Sequence, residues 1–248
     1  MSPHAVTLRP RISSLCPISL AVWPPWKTKT AIPANRLRID LWSEQPMFES
    51  ISPSDFRITY IGHAGFAVDA GDISILIDPW FYAANLGSIF PYPDNSFVLP
   101  DVTRRKFDYL YISHAHTDHF DRRLLDQLDK DVTVLCPSFR SRELEVLMKG
   151  LGFSSLIKLG HLESLALSER LSVTMLLDSS AAEDSGLMIE FDGFRFLDLN
   201  DCQVNMSELP RADVLACQFS GAIHYPQTYD IYTLGEKAQK AEVAIGTY

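Results

Sequence analysis

From Phe56 onward the chain alternates β-branched or aromatic residues with small and polar ones. FRITYIGHAGFAVDAGDISILIDP reads as two or three short strands joined by hairpins, one turning at DAGD. FDYLYIS predicts another strand. DRRLLDQLD after it puts Leu124, Leu125 and Leu128 on one helical face, with Asp121 placed to cap the first turn. VTVLCP predicts a strand and SFRSRELEVLMKGLGF a helix closed by Gly150 or Gly152. SSLIKL, ESLAL, LSVTMLL, GLMIEF and FRFLDL follow as a series of strands, then ADVLACQF as a strand and LGEKAQKAEVA as a helix. Strand runs interspersed with helices, without a repeat of fixed period, predict an α/β domain of sheets covered by helices in layers, over residues 53–248.

The first stretch has a different texture. MSPHAVTLRPRISSLCPISLAVWPPWKTKTAIPANRLRID carries no acidic residue before Asp40, scattered prolines and no sustained period of 2 or 3.6. Residues 1–52 therefore read as a disordered or non-native leader outside the domain, with translation beginning at Met47 as the simplest account. The basic, acid-poor composition suits a targeting sequence, but the prolines spoil an amphipathic helix and no small-residue cleavage site follows the apolar stretch.

Composition narrows the partners. The chain has 248 residues, 46% hydrophobic and 21% charged, with a formal charge of -9 and a pI near 5.2. Nucleic acid and anionic membranes reward a basic surface, so neither is expected as a partner. An anionic small-molecule substrate would need a local positive centre such as a metal. The apolar run ISLAVW lies between Pro17 and Pro24, far short of the roughly 20 residues a spanning helix requires. The four cysteines have neither CxxC spacing nor the density of a disulfide scaffold, which predicts a reducing, cytoplasmic setting.

The chemistry is concentrated in YISHAHTDHFD, residues 111–121, which holds three of the seven histidines between a strand's carboxyl end and a helix. His114 and His116, two apart in an extended segment, point the same way and can grip one ion. Asp118 and His119, in the turn that follows, face the same space and can hold a second ion about 3.5 to 4 Å away, as in two-metal hydrolytic sites. Imidazole with carboxylate suits zinc, manganese or iron. The structural alternative is a polar loop of internally satisfied histidines.

His114-x-His116-x-Asp118-His119 after a hydrophobic strand resembles the signature of the metallo-β-lactamase superfamily, whose four-layer αββα fold carries one or two metals between two sheets. ILIDPW, with Asp78, resembles the strand-end aspartate that orients the ligands. FLDLNDC, with Asp201, resembles the later aspartate that bridges two metals. More narrowly, TYIGHAGFAV, LIDPWF, YISHAHTDHF, NDC and CQFSGAIHYP together resemble the metallo-β-lactamase-like part of the CMP-N-acetylneuraminate hydroxylase-like and ascorbate-6-phosphate lactonase-like proteins. By that resemblance His63 and His224 border the cavity, as outer-shell or substrate contacts or as structural hydrogen-bonding residues.

The chain also departs from the pattern. The superfamily supplies a further histidine between the LSVTMLL and GLMIEF strands, where this chain has DSSAAEDSG. Ser180, Glu183 and Asp184 are the oxygen donors on offer there, favouring manganese or iron, with water as the other way to complete the shell. The superfamily's final histidine comes from beyond Tyr248, so the domain is expected to be truncated at its C-terminus. The Rieske ligands of the sialic-acid hydroxylases are absent from the sequence. The resemblance implies a metal-dependent hydrolase in which Asp118 orients or deprotonates a water that attacks a carbonyl or phosphoryl centre of a lactone, phosphodiester or amide, with a sugar-derived substrate favoured. The alternative it implies is a non-catalytic or partner-dependent binding module of an oxygenase system, served by a redox protein. Cys202 reads as a buried thiol, and Trp80, Phe81 and Tyr82 as either a substrate groove or an aromatic plug.

Overall fold

Successive residues of a strand face opposite sides, and the apolar alternation downstream of Phe56 is used in that way. Phe56, Ile58, Tyr60, Phe66, Val68, Ile75 and Ile77 enter one core, while Ile61, Ala67 and Leu76 enter another on the opposite face. The computed structural model describes residues 18–22, 37–40, 48, 52, 54–178, 183–205 and 207–218. Its strands are β1 (Ile18–Val22), β2 (Leu37–Asp40), β3 (Phe56–Gly62), β4 (Gly65–Ala70), β5 (Ile73–Ile77), β6 (Tyr109–Tyr111), β7 (Thr133–Pro137) and β8 (Leu156–Leu159). They continue with β9 (Ser164–Ala166), β10 (Leu171–Leu177), β11 (Ser185–Phe191), β12 (Phe194–Asp198) and β13 (Val214–Gln218). The α-helices are α1 (Leu99–Arg104), α2 (Arg122–Leu125) and α3 (Glu143–Gly150).

These strands form a seven-stranded sheet, β2-β3-β4-β5-β6-β7-β8, and a six-stranded sheet, β1-β13-β12-β11-β10-β9. The sheets meet through a shared core in which Phe56 stacks on Phe191 with ring centroids 5.8 Å apart and Phe66 meets Phe196 edge-on at 5.4 Å. On its other face the seven-stranded sheet is covered by Val102 of α1, Leu124 and Leu125 of α2, and Leu144 and Met148 of α3. Helix, sheet, sheet is thus the layer order among the described residues, as the αββα reading requires. The helix expected in LGEKAQKAEVA lies outside them.

Differences from the sequence reading have local causes. Residues 1–52, read from sequence as standing outside the domain, contribute an edge strand to each sheet: β1 pairs antiparallel with β13 and β2 parallel with β3. An edge strand is held chiefly by its backbone ladder on one side, so it needs no strict side-chain period. Helix α2 is a single turn, where the Leu pattern suggested more. Its cap is as expected, with Asp121 accepting from the backbone N–H groups of Arg123 and Leu124. The other Asp121 oxygen accepts from the N–H groups of Phe81 and Tyr82, which ties this turn to the loop after β5. Trp80 is buried and donates its indole N–H to the Tyr82 carbonyl, so it is a plug rather than a groove wall.

Phe66→Ala should remove about 3–5 kcal/mol of stability, because the cavity opens between Tyr60 and Phe196 where neither sheet can collapse onto it. Phe90→Ser, at a side chain 65% exposed, should stay within about 0.5 kcal/mol. Urea unfolding measures both, and the first should lower the midpoint with little change of slope.

Candidate metal centre

Strand direction assembles the site. β4 runs antiparallel to both β3 and β5, and β6 runs parallel to β5, so the carboxyl ends of β3, β5 and β6 emerge at one edge of their sheet. In the facing sheet β12 ends where antiparallel β11 begins, Leu187 pairing with Asp198. Residues just beyond these ends are His63, Asp78, the 113–119 loop, Asp184 and Asp201. Side chains far apart in sequence thereby share one end of the sandwich, where loops are anchored by strands yet open to ligand.

Asp78 lies at the bottom, fully buried and with a positive φ of 34°. Its carboxylate accepts from the Ser113 N–H at 2.7 Å, from the Ser113 hydroxyl, and from His119 Nδ1 at 2.7 Å. Those partners assign the proton of His119 to Nδ1 and turn Nε2 toward the cavity. His114 is oriented likewise, its Nδ1 lying 2.9 Å from the Ser113 hydroxyl and 3.2 Å from Asp184 Oδ1, and its Nε2 facing His116 Nδ1 at 2.7 Å. His114 and His119 are buried, whereas His116 is exposed at the rim.

Two groups of donors converge, with ligand atoms inside each lying within 4.8 Å of one another: His114, His119 and Asp201, and His63, Asp118 and His119. Asp201 Oδ2 lies 3.6 Å from His119 Nε2, and Asp118 Oδ2 lies 3.4 Å from His63 Nε2. Burial opposes charge on both Asp118 and His119. The imidazoles of His63 and His119 nonetheless hold the Asp118 carboxyl well below the usual range, and Asp201 and Asp78 raise the His119 imidazole well above its ordinary value. Behind them the carboxyl of Asp198 is pushed well up by its full burial and by the nearby Asp78 charge.

His119 Nε2 and His63 Nε2 are buried atoms without a hydrogen-bond partner. A buried polar nitrogen left bare is costly, and here two of them share a space with two carboxylates. A divalent cation resolves that imbalance, since it accepts lone pairs from imidazole and offsets the negative charge. The donor set therefore fits a metal.

Sequence-proposed residues are brought together as follows. His63, His114, Asp118, His119 and Asp201 fall within the two donor groups, and Asp78 holds His119 from behind. His116, expected to grip an ion with His114, instead stands exposed at the rim outside both groups, with its Nδ1 against His114 Nε2. Ser180 and His224 lie outside the described residues. Of the oxygen donors weighed for the missing loop histidine, Asp184 lies against His114. Glu183 instead accepts from the Ser141 N–H at 2.7 Å and from its hydroxyl, which directs it away. Cys202 is fully buried, its thiol pushed well up by burial, and it offers no thiolate. His161, outside the pocket, accepts from the Leu177 N–H and pairs with Glu208.

Three supporting residues were not legible from motif spacing. Ser113 joins Asp78 to His114. Ser185 donates to the Ser113 carbonyl at 2.7 Å and lies 2.8 Å from the Tyr111 hydroxyl, linking the two sheets below the site. Asn95 donates to the carbonyls of Ile61 and Trp80, both at 2.9 Å, clamping the end of β3 to the loop after β5. The adjacent Gly62 has φ +124°, and a Cβ there would come 2.6 Å from Asn95 Nδ2, so this clamp requires glycine.

Asp78→Ala leaves three buried donors unanswered and should cost about 3–5 kcal/mol. Asp78→Asn, with one carbonyl oxygen remaining, should cost less stability but release the His119 ring and weaken metal binding about 10–100-fold. Chemical denaturation and a metal titration separate the two effects.

Similarity to known proteins agrees with this arrangement. A family model described as Beta-lactamase superfamily domain matches residues 57–241. A protein of Mycolicibacterium smegmatis, provisionally named a Rieske 2Fe-2S iron-sulfur protein, is 34% identical over 200 residues, covering 73% of this chain and 38% of the relative. Cytidine monophosphate-N-acetylneuraminic acid hydroxylase of Danio rerio is 25% identical over 205 residues, covering 77% of this chain and 34% of the enzyme. The chain thus spans little more than a third of the length of these curated relatives. Among solved structures, Igni18, a metallo hydrolase from Ignicoccus hospitalis, aligns with 60% of this chain and 61% of its own, at 21% identity and a TM-score of 0.42. A match to the family over most of the chain, on paired sheets with the histidine loop at a strand end, leads to one assignment: the chain belongs to the metallo-β-lactamase superfamily and is related to the CMP-N-acetylneuraminic acid hydroxylases.

Proposed function

We propose that the chain is a metal-dependent hydrolase acting on a carbonyl or phosphoryl centre. The observation carrying this reading is the bare, buried Nε2 of His119, held by Asp78 from behind and aimed into a space shared with His114 and Asp201. One or two divalent cations, zinc, manganese or iron, held by His114, His116, Asp118, His119 and Asp201 supply a Lewis acid and a water of near-neutral pKa.

The chain's own residues do the rest. Asp118, its carboxyl held low by the neighbouring imidazoles, is ionised at neutral pH and accepts a hydrogen bond or a proton from water in the pocket. Asp78 and Ser113 fix the rings of His119 and His114, so no ring has to reorient as charge develops. The exposed rim at His116 is the open approach for substrate. A molecule with net charge -9 repels anions at long range, so a sugar-derived acid or phosphodiester would depend on the cation for attraction.

A second reading is favoured by the relatives' names: a metal- and substrate-binding part of an oxygenase system, working with a separate redox protein. Turnover of a lactone and phosphodiester panel by the metal-loaded chain without any reductant supports the hydrolase. Substrate binding without turnover, with conversion appearing only when an iron–sulfur electron donor and oxygen are added, supports the second reading.

His116→Ala should lower kcat/KM for the best hydrolytic substrate by about 10³-fold, or about 4 kcal/mol in the barrier, with the fold intact by circular dichroism. Removing metal with a chelator should lower the melting temperature. A bound ion at about 100 times its Kd contributes about 2.7 kcal/mol, and adding manganese or zinc back should restore it.

A further inference from the structure

We infer that His63 is a direct ligand of the second metal ion, completing a His63, Asp118 and His119 triad at the turn between β3 and β4. The inference rests on the metal-centre reading above and assigns to His63 a part that the HxHxDH loop cannot supply from its own four residues.

Backbone geometry aims this side chain. The β3–β4 pairing shifts register between Tyr60 and Gly62, and a bulge at a strand end re-aims the residues beyond it. His63 follows with φ 51°, the left-handed region that a residue with a Cβ enters only when its surroundings hold it there. Asn95 provides that hold by clamping Ile61 to Trp80, and the Trp80 ring meets the His63 ring edge-on at 4.8 Å. The His63 ring meets the His119 ring edge-on, centroids 5.2 Å apart, and its Nε2 is buried although the side chain is 30% exposed.

Distances separate a ligand from a hydrogen-bonding residue. An imidazolium donating to a carboxylate sits at about 2.7–2.9 Å. His63 Nε2 lies 3.4 Å from Asp118 Oδ2 and makes no hydrogen bond. Two donors about 2.0–2.1 Å from one tetrahedral ion are spaced about 3.3 Å apart, which is the separation found. His63 Nε2 and Asp118 Oδ2 thus stand at ligand spacing, and a ligand atom of His119 lies within 4.8 Å of both.

Cobalt(II) loading of the full chain tests this, because the d–d absorption of the bound ion reports its ligands independently of turnover. His63→Gly tolerates the positive φ and leaves a ring-sized vacancy. Metal analysis should find about two equivalents in the unaltered chain and about one in the variant, and millimolar imidazole should restore the second equivalent and its absorption. His63→Asn, which also tolerates this backbone but carries no imidazole, should weaken the second ion at least about tenfold. Two ions with unchanged cobalt absorption in both variants would overturn the ligand role of His63 while leaving the metal centre standing. No ion in the unaltered chain would overturn both.

Discussion

The buried Asp78 carboxylate is the interaction on which the site depends. It terminates β5, sits without solvent, and is answered by three donors from the segment that leaves the neighbouring parallel strand β6: the Ser113 N–H, the Ser113 hydroxyl and His119 Nδ1. A charge in that position is tolerable only because it is fully hydrogen-bonded. Through it the sheet dictates the position of Ser113 and the rotation of His119, and through Ser113 the rotation of His114. The loop is polar in sequence, but its geometry is as firm as the strand ends on either side.

Around that centre the two sheets supply different things. The seven-stranded sheet contributes the imidazoles and Asp118 from the ends of strands that run in the same direction. The six-stranded sheet contributes Asp184 and Asp201 from the adjoining ends of β11 and β12. Ser185, bonded to the Ser113 carbonyl and beside Tyr111, registers one sheet against the other at the depth of the site. The aromatic contacts between Phe56 and Phe191 and between Phe66 and Phe196 fix the spacing of the sheets, so the core and the metal centre are set by the same packing.

Concentrated in this way, the charges control one another. Burial raises the carboxyls of both Asp118 and Asp198, yet the nearby imidazoles bring Asp118 well below the usual range, whereas Asp198, fully buried and close to the Asp78 charge, stays well above it. Two carboxyls are thus shifted in opposite directions by the neighbours they face. Family membership agrees with a metal at this point.

Much of this was readable from the chain alone. The alternation in FRITYIGHAGFAVDAGDISILI dictates β3, β4 and β5 because a period of two allows only one face toward each core. HAHTDH marks the loop that carries the candidate site, where the structure brings His114, Asp118 and His119 into the two donor groups and leaves His116 exposed at the rim. Tertiary structure decided what local pattern cannot encode. β1 and β2 are edge strands with no period of their own, held by backbone pairing to strands distant in sequence. Asn95, Ser113 and Ser185 gain their roles from polar contacts made across loops or between sheets. Glu183 and Asp184 are adjacent and chemically alike, but one turns to Ser141 and the other to His114. Their difference lies in where the end of one sheet meets the other, a relation between distant segments that the order of residues along either one does not contain.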